Sequence, residues 1–210
     1  MTVQQHFATN LILADDPLST DCYSVRLLLE FLQLPYQSVY ADVEPSFVQQ
    51  EDELIYPTLL HPEPQISGVL PILHSIVVST NTQSDWMPEH LSSHIQIWFD
   101  FNEQLKQSLG RLRQANIFAN QFLVNEQDLI LQAHHLLQVL DDHLCDQIIQ
   151  QQHYLLADHA TLADIIVFPQ VALAWDAGVS LVSFLHIRRW INRIRGLPAF
   201  IPMAGLLAAV

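Results

Sequence analysis

The sequence predicts a chain in two parts, an α/β first half followed by an all-helical second half. Three observations carry this. Apolar, strand-like runs at Leu11–Ala14 and Tyr36–Val43 flank a segment of helical periodicity, which is a strand–helix–strand unit with parallel strands. Beyond about residue 90 the apolar residues recur only at helical spacing. Near the C-terminal side, Thr161 stands three residues before Asp164 at the head of an almost wholly apolar run. That spacing marks a capped and buried helix.

Taken in order, Leu11–Ala14 is a short buried strand, and Asp15-Asp-Pro-Leu-Ser-Thr-Asp21 supplies turn and cap chemistry. A helix follows, with Val25, Leu28, Leu29 and Leu32 on one face, and Leu34-Pro35 ends it. Tyr36–Val43 alternates as the second strand, and the acidic stretch Glu44–Glu53 reads as a loop. Tyr56-Pro-Thr-Leu-Leu60 is a third strand entered through a proline, and Gln65–Ser67 is a short edge strand. Gly68–Ser79 is a helix that admits Pro71 only in its first turn.

Thr80–Pro88 is a polar connector, so the domains are expected at 1–82 and 88–210. The first long helix carries the stripe Ile97, Phe101, Leu105, Leu109, Leu112; the second carries Leu129, Ala133, Leu136, Leu140, Leu144. At the capping box, the Thr161 hydroxyl accepts from the Asp164 amide and the Asp164 carboxylate accepts from the Thr161 amide. Pro169 should bend this helix, Gly178 should stop it, and Trp98, Trp175 and Trp190 read as core or interface aromatics. Gln170 and Asp176 within the apolar region weigh against a membrane span.

Charge narrows the function. Eight basic against 22 acidic residues leave a net charge of −14, which excludes nucleic acid and anionic membranes as partners. Through residue 100 the only Lys or Arg is Arg26. Two cysteines, Cys22 and Cys145, argue for a reducing compartment rather than a disulfide framework. With no signal peptide legible at the N-terminus, the expectation is a cytoplasmic protein. His90 and His94 stand four apart, but no third ligand is identifiable, so no metal is expected. His134, His135 and His143 read as exposed positions of the second long helix.

Several stretches resemble the glutathione S-transferase family. Tyr154-Leu, a polar turn, Thr161-Leu-Ala-Asp164 and an apolar helix resemble its capped central helix, and Trp190-Ile-Asn-Arg-Ile-Arg-Gly-Leu-Pro-Ala-Phe-Ile-Pro-Met203 resembles its usual end. Ser19-Thr-Asp-Cys-Tyr-Ser-Val-Arg-Leu-Leu-Leu-Glu-Phe-Leu-Gln-Leu-Pro-Tyr36 is similar to the first strand–helix junction of the members that use Ser or Cys there. Tyr56-Pro57-Thr-Leu is similar to its strand entry through a cis-proline. The resemblance implies a thioredoxin-like N-terminal domain, an all-α C-terminal bundle, a homodimer, and glutathione as the co-substrate that attacks a small electrophile.

The same resemblance assigns candidate residues. Ser19 matches the hydroxyl that stabilises the thiolate, though a helix cap is an equal reading. Cys22, one turn on, is either a second nucleophile or a small buried residue. Tyr56 and Pro57 would meet the cysteinyl backbone of glutathione, while Ser67, Gly68 and Val69 stand where the family grips the γ-glutamyl group. The acidic residue and hydroxyl usual there are replaced by Gly68-Val69, with Ser67 a shifted substitute. Arg26, a surface charge or a ligand, and His74 face ten acidic residues in this half. Two functions therefore stand: a glutathione transferase that transfers or exchanges the glutathione thiol onto a small electrophile, or a degenerate member kept as a binding or scaffold module.

Overall fold

The structure, a computed structural model, describes residues 11–40, 56–117 and 125–203; the expected acidic loop at 44–53 and the end of the second strand lie outside them. The chain divides into two compact units. One runs to Glu89 and takes in the tail from Pro198; the other runs from His90 to Leu197.

In the first unit, β1 (Leu11–Ala14), β2 (Tyr36–Val39), β3 (Thr58–His61) and β4 (Ile66–Ser67) form one sheet in the order β2-β1-β3-β4. The β1–β2 pair is parallel and joined through α1 (Thr20–Phe31), as the strand–helix–strand reading expects; β3 and β4 add antiparallel. Leu13 and Ala14 of β1 are wholly buried. α1 buries a wider face than its predicted stripe, because Cys22, Tyr23 and Leu27 lie inside beside Val25, Leu28 and Leu29. α2 (Val69–Ser79) starts at Gly68, holds Pro71 in its first turn and packs inward through Ile72, Leu73, Ile76 and Val77. The short α3 (Gln83–Trp86) stacks Trp86 on Phe31, ring centroids 6.0 Å apart. The tail returns here, where the Tyr23 hydroxyl donates to the Ile201 carbonyl at 2.6 Å.

Helix ends in this chain lean on unusual residues. After α1, the Leu34 amide reaches back to Leu29 and the Gln33 amide to Glu30, with Gln33 at φ 52°. The same closure follows α2 at Asn81 (φ 58°) and, in the second unit, the helix Glu126–Ile149 at Gln151 (φ 62°). Glycine is the residue that meets this left-handed position without a Cβ clash.

In the second unit, α4 (Ser92–Leu105), a π turn (Lys106–Gly110) and α5 (Arg111–Ile117) follow one another without a break. The buried face of α4 is Ile95, Trp98, Asn102 and Leu105. This corrects the predicted stripe: Ile97 is 62% exposed, and Phe101 is only partly covered. A polar residue, Asn102, occupies the core position, so an apolar periodicity settled on its neighbours instead. Further along, Leu109 and Leu112 are buried as expected. α6 (Glu126–Ile149) buries Leu129, Ala133, Leu136, Leu140 and Leu144, again as expected.

α7 (Leu162–Ala172) is buried almost throughout and carries Pro169 inside it. It ends before Gly178, which instead closes a run of turns: the Val179 amide donates to Ala174 and the Gly178 amide to Trp175, both at 2.9 Å. Trp175 therefore stands outside the helix, 76% exposed, and is not a core aromatic; Trp98 and Trp190 are buried.

The predicted capping box is present. Oδ2 of Asp164 accepts from the Thr161 amide at 2.9 Å and from the Thr161 hydroxyl at 3.2 Å. Its Oδ1 accepts from the Leu155 amide at 3.0 Å and from Nε1 of Trp190, on α8 (Leu185–Arg195), at 2.8 Å. Burial raises the Asp164 pKa and these donors pull against it.

Two stability measurements follow. Asp164→Ala strands three buried N–H donors and should cost about 3–5 kcal/mol in urea unfolding. Gln33→Gly should stabilise the chain by about 0.5–1 kcal/mol in the same assay; an unchanged or lowered midpoint would show that the left-handed turn carries no penalty.

Candidate functional site

The register of the sheet gathers the candidate residues. Ala14 lies opposite both Val39 and Thr58, and Thr58 lies opposite Ser67. Along this one row the chain leaves β1 toward Ser19, enters β3 from Tyr56-Pro57, and leaves β4 into Gly68-Val69. The Tyr56–Pro57 bond is cis, the isomer the resemblance implies. The Gly68 amide donates to the Pro57 carbonyl at 3.0 Å, and the Thr58 and Ser67 hydroxyls share a hydrogen bond of 2.8 Å. Tyr56, Pro57, Ser67, Gly68 and Val69 are thus brought together, with the Ser19–Cys22 turn one strand away.

Ser19 is the N-cap of α1, its Oγ accepting from the Cys22 amide at 3.3 Å. A hydroxyl that caps spends a lone pair and keeps its proton to donate. Capping and thiolate stabilisation are therefore compatible in one side chain. Cys22 behaves differently. It is fully buried, and its Sγ accepts from the Asp16 amide at 3.4 Å. Burial pushes its thiol from the usual 9.0 up to about 12, with the Asp16 amide and the Ser19 hydroxyl pulling back less. At neutral pH it is a protonated packing residue with neither access nor charge for attack.

At the start of α2, Gly68 has φ 91° and ψ 145°, a conformation strained for any residue with a Cβ. No side chain caps this helix and no acidic residue stands in its first turn. Val69 is 4% exposed, which leaves only its main chain for a ligand. The first-turn amides of α2 form a small positive end, from which Pro71 removes one donor.

Arg26 is neither a surface charge nor a free ligand. Its guanidinium pairs with the carboxylate of Asp15, whose side chain is wholly buried, and Asp15 also accepts from the Ser38 hydroxyl at 2.7 Å. This network escapes a periodicity reading, although an Asp directly after a strand and an Arg on the next helix are its trace. The histidines resolve as well. His90 sits in a 3-10 turn ahead of α4 while His94 sits within α4, and both are exposed. His143 is not an exposed position: its Nε2 hydrogen-bonds the Leu155 carbonyl at 2.7 Å and its ring meets Trp98 edge-on. Among the described residues no group of three or more His, Cys, Asp or Glu is placed to hold a metal ion, and no helix is long and apolar enough to cross a membrane.

No protein-family model matches the sequence, and no curated protein sequence matches it. Solved structures match the fold. Glutathione S-transferase unclassified 2 from Bombyx mori superposes with a TM-score of 0.76 at 20% identity, over 90% of this chain and 89% of its own. A possible glutathione S-transferase from Rhodopseudomonas palustris gives 0.73 at 24% identity, over 92% and 97%. Ure2p in complex with glutathione gives 0.72 at 14% identity, over 91% of each chain. The fold of this chain is that of the glutathione S-transferases, a thioredoxin-like N-terminal part and an all-α C-terminal part.

The burial of Cys22 has a pH signature. Its folded pKa of about 12 lies above the ordinary 9.0, so the unfolded chain releases its proton first and stability falls as pH rises between those values. Urea unfolding across that range should show a slope shallower in Cys22→Ala than in wild type by up to about 1.4 kcal/mol per pH unit. Equal slopes would mean that Cys22 ionises in the folded protein as freely as in the unfolded one.

Proposed function

We propose that this chain binds glutathione and transfers its thiol to a small electrophile, with Ser19 as the donor that stabilises the thiolate. The observation that carries the reading is Ser19 itself: a hydroxyl at the positive end of α1, on the turn leaving β1. Hydrogen bonding to sulfur favours the ionised form of a thiol that otherwise titrates near ~8.5. The thiolate then attacks the electrophilic carbon. A sulfur–carbon bond forms, and the leaving group departs with its electron pair or, in an addition, the carbanion takes a proton. Cys22, buried and protonated, takes no part.

Tyr56 and Pro57 are the residues proposed to meet the cysteinyl backbone. The main chain of Gly68 and Val69, with the Ser67 hydroxyl, is proposed to hold the γ-glutamyl carboxylate at the open start of α2. That Ure2p has been seen with glutathione and with S-hexylglutathione supports the fold as a glutathione binder. The proposed domains are 1–82 and 88–210, and the proposed setting is a cytoplasmic homodimer; two free cysteines support the compartment.

One observation favours a second reading, a fold retained as a binding or scaffold module. The start of α2 lacks an acidic partner for an ammonium group, and Arg26 is already committed to Asp15. Calorimetry with glutathione decides between them. Submillimolar binding, with Ser19→Ala raising the pKa of the bound thiol by about one unit, is the result expected of the transferase. No heat at millimolar glutathione would leave the module reading standing.

A further inference from the structure

One side chain holds the turn that carries Ser19. Nη1 of Arg26 donates to the Asp15 carboxylate and, at 3.4 Å, to the Asp16 carbonyl; Nη2 donates to the Pro17 carbonyl at 3.4 Å. The Ser19 amide donates to that same Asp16 carbonyl at 3.1 Å. Below the turn, Asp15 is anchored to β2 by the Ser38 hydroxyl and by its own amide, which donates to Val39 at 3.0 Å. The Arg26 side chain is 12% exposed, and its Cζ lies 5.8 Å from the centroid of the Tyr23 ring. Each residue between the end of β1 and Leu18 therefore meets one planar group.

We infer that Arg26 is a positioning residue for Ser19, fixing the turn 15–17 so that the Ser19 hydroxyl stays at the head of α1. The inference rests on the thiol-binding role proposed for Ser19. The chemistry asks for arginine in particular. A buried carboxylate and two carbonyls, fanned around one side, match a flat fork with several N–H donors. A lysine satisfies the Asp15 charge but, as a point charge on a flexible stem, releases the carbonyls. The tie between strand and cap then depends on the peptide chain alone.

Cys22 is a reporter already in place, because its Sγ accepts from the Asp16 amide beneath this turn. The test is Arg26→Lys in a Cys145→Ser background, with three measurements: urea unfolding, alkylation of native Cys22 by iodoacetamide, and the pKa of bound glutathione. In the folded variant, Cys22 should react about tenfold faster than any change in global stability explains, since the loss of charge-assisted hydrogen bonds loosens the turn locally. The thiol pKa should rise toward that of Ser19→Ala, and the double variant should show no further rise. If Arg26→Lys fails to fold, Ser38→Ala keeps the ion pair and should show the same changes at smaller size. Unchanged Cys22 protection overturns the clamp. Wild-type glutathione binding that responds to Ser19→Ala but not to Arg26→Lys overturns the inference and leaves the transferase reading intact. No glutathione binding at all removes the transferase reading and with it any role for Arg26 in positioning a donor, whatever the Cys22 result.

Discussion

The carboxylate of Asp164 ties the second unit together. It accepts from the amides of Thr161 and Leu155, from the Thr161 hydroxyl, and from the Trp190 indole, so three separate stretches of chain meet on one buried group. Each donor would otherwise lie in an apolar interior without an acceptor. Aspartate suits the box better here than the usual glutamate. One methylene shorter, it still reaches back to Thr161 while keeping Oδ1 free for Leu155 and Trp190. Once α7 is pinned in this way, Trp190 is held edge-on against Phe168, with centroids 6.0 Å apart, and α8 is set on the unit. Asp141 repeats the device on a smaller scale: from α6 it accepts from the Ile187 amide at 2.8 Å, in the first turn of α8, and pairs with His186.

The electrostatics of the first unit follow a different logic. Its one arginine is spent internally, neutralising a carboxylate that no longer meets water. No second Lys or Arg stands in this unit to meet an anionic ligand. The two helix starts differ in what they offer. α1 carries Asp21 in its first turn, which opposes a second negative charge, whereas α2 carries no acidic residue there. On the proposed reading, a thiolate near Ser19 would depend on hydrogen bonding and a carboxylate near Gly68 on the unopposed helix end.

Most of the fold was legible in the sequence, because its signals are local. The Pro71 helix start and the Asp164 box each sit within one helical turn, and the strand–helix–strand unit and the α6 stripe are built from runs of short period. Errors arose where a polar residue took a core position or where tertiary contacts decided the outcome. Asn102 in the seam of α4 shifted the apparent stripe onto Ile97. His143 looked like any polar residue on a helix, yet the Leu155 carbonyl and Trp98 draw it inward. At the site, position was readable and state was not. Ser19 and Cys22 stand close in sequence, and only burial separates a half-buried hydroxyl from a silent thiol. Arg26 and Asp15 lie eleven positions apart, beyond the reach of any spacing rule.

The hydrogen bond from Tyr23 to Ile201 has a consequence for the order in which this chain matures. The strands and α1 emerge early in synthesis, whereas the carbonyl that accepts from the Tyr23 hydroxyl lies in the segment that follows α8. The first unit thus receives the Ile201 carbonyl, which accepts from the Tyr23 hydroxyl, only after the helical unit has been made. A nascent chain halted before that segment carries every residue proposed for thiol chemistry, on a helix that has not yet met the Ile201 carbonyl.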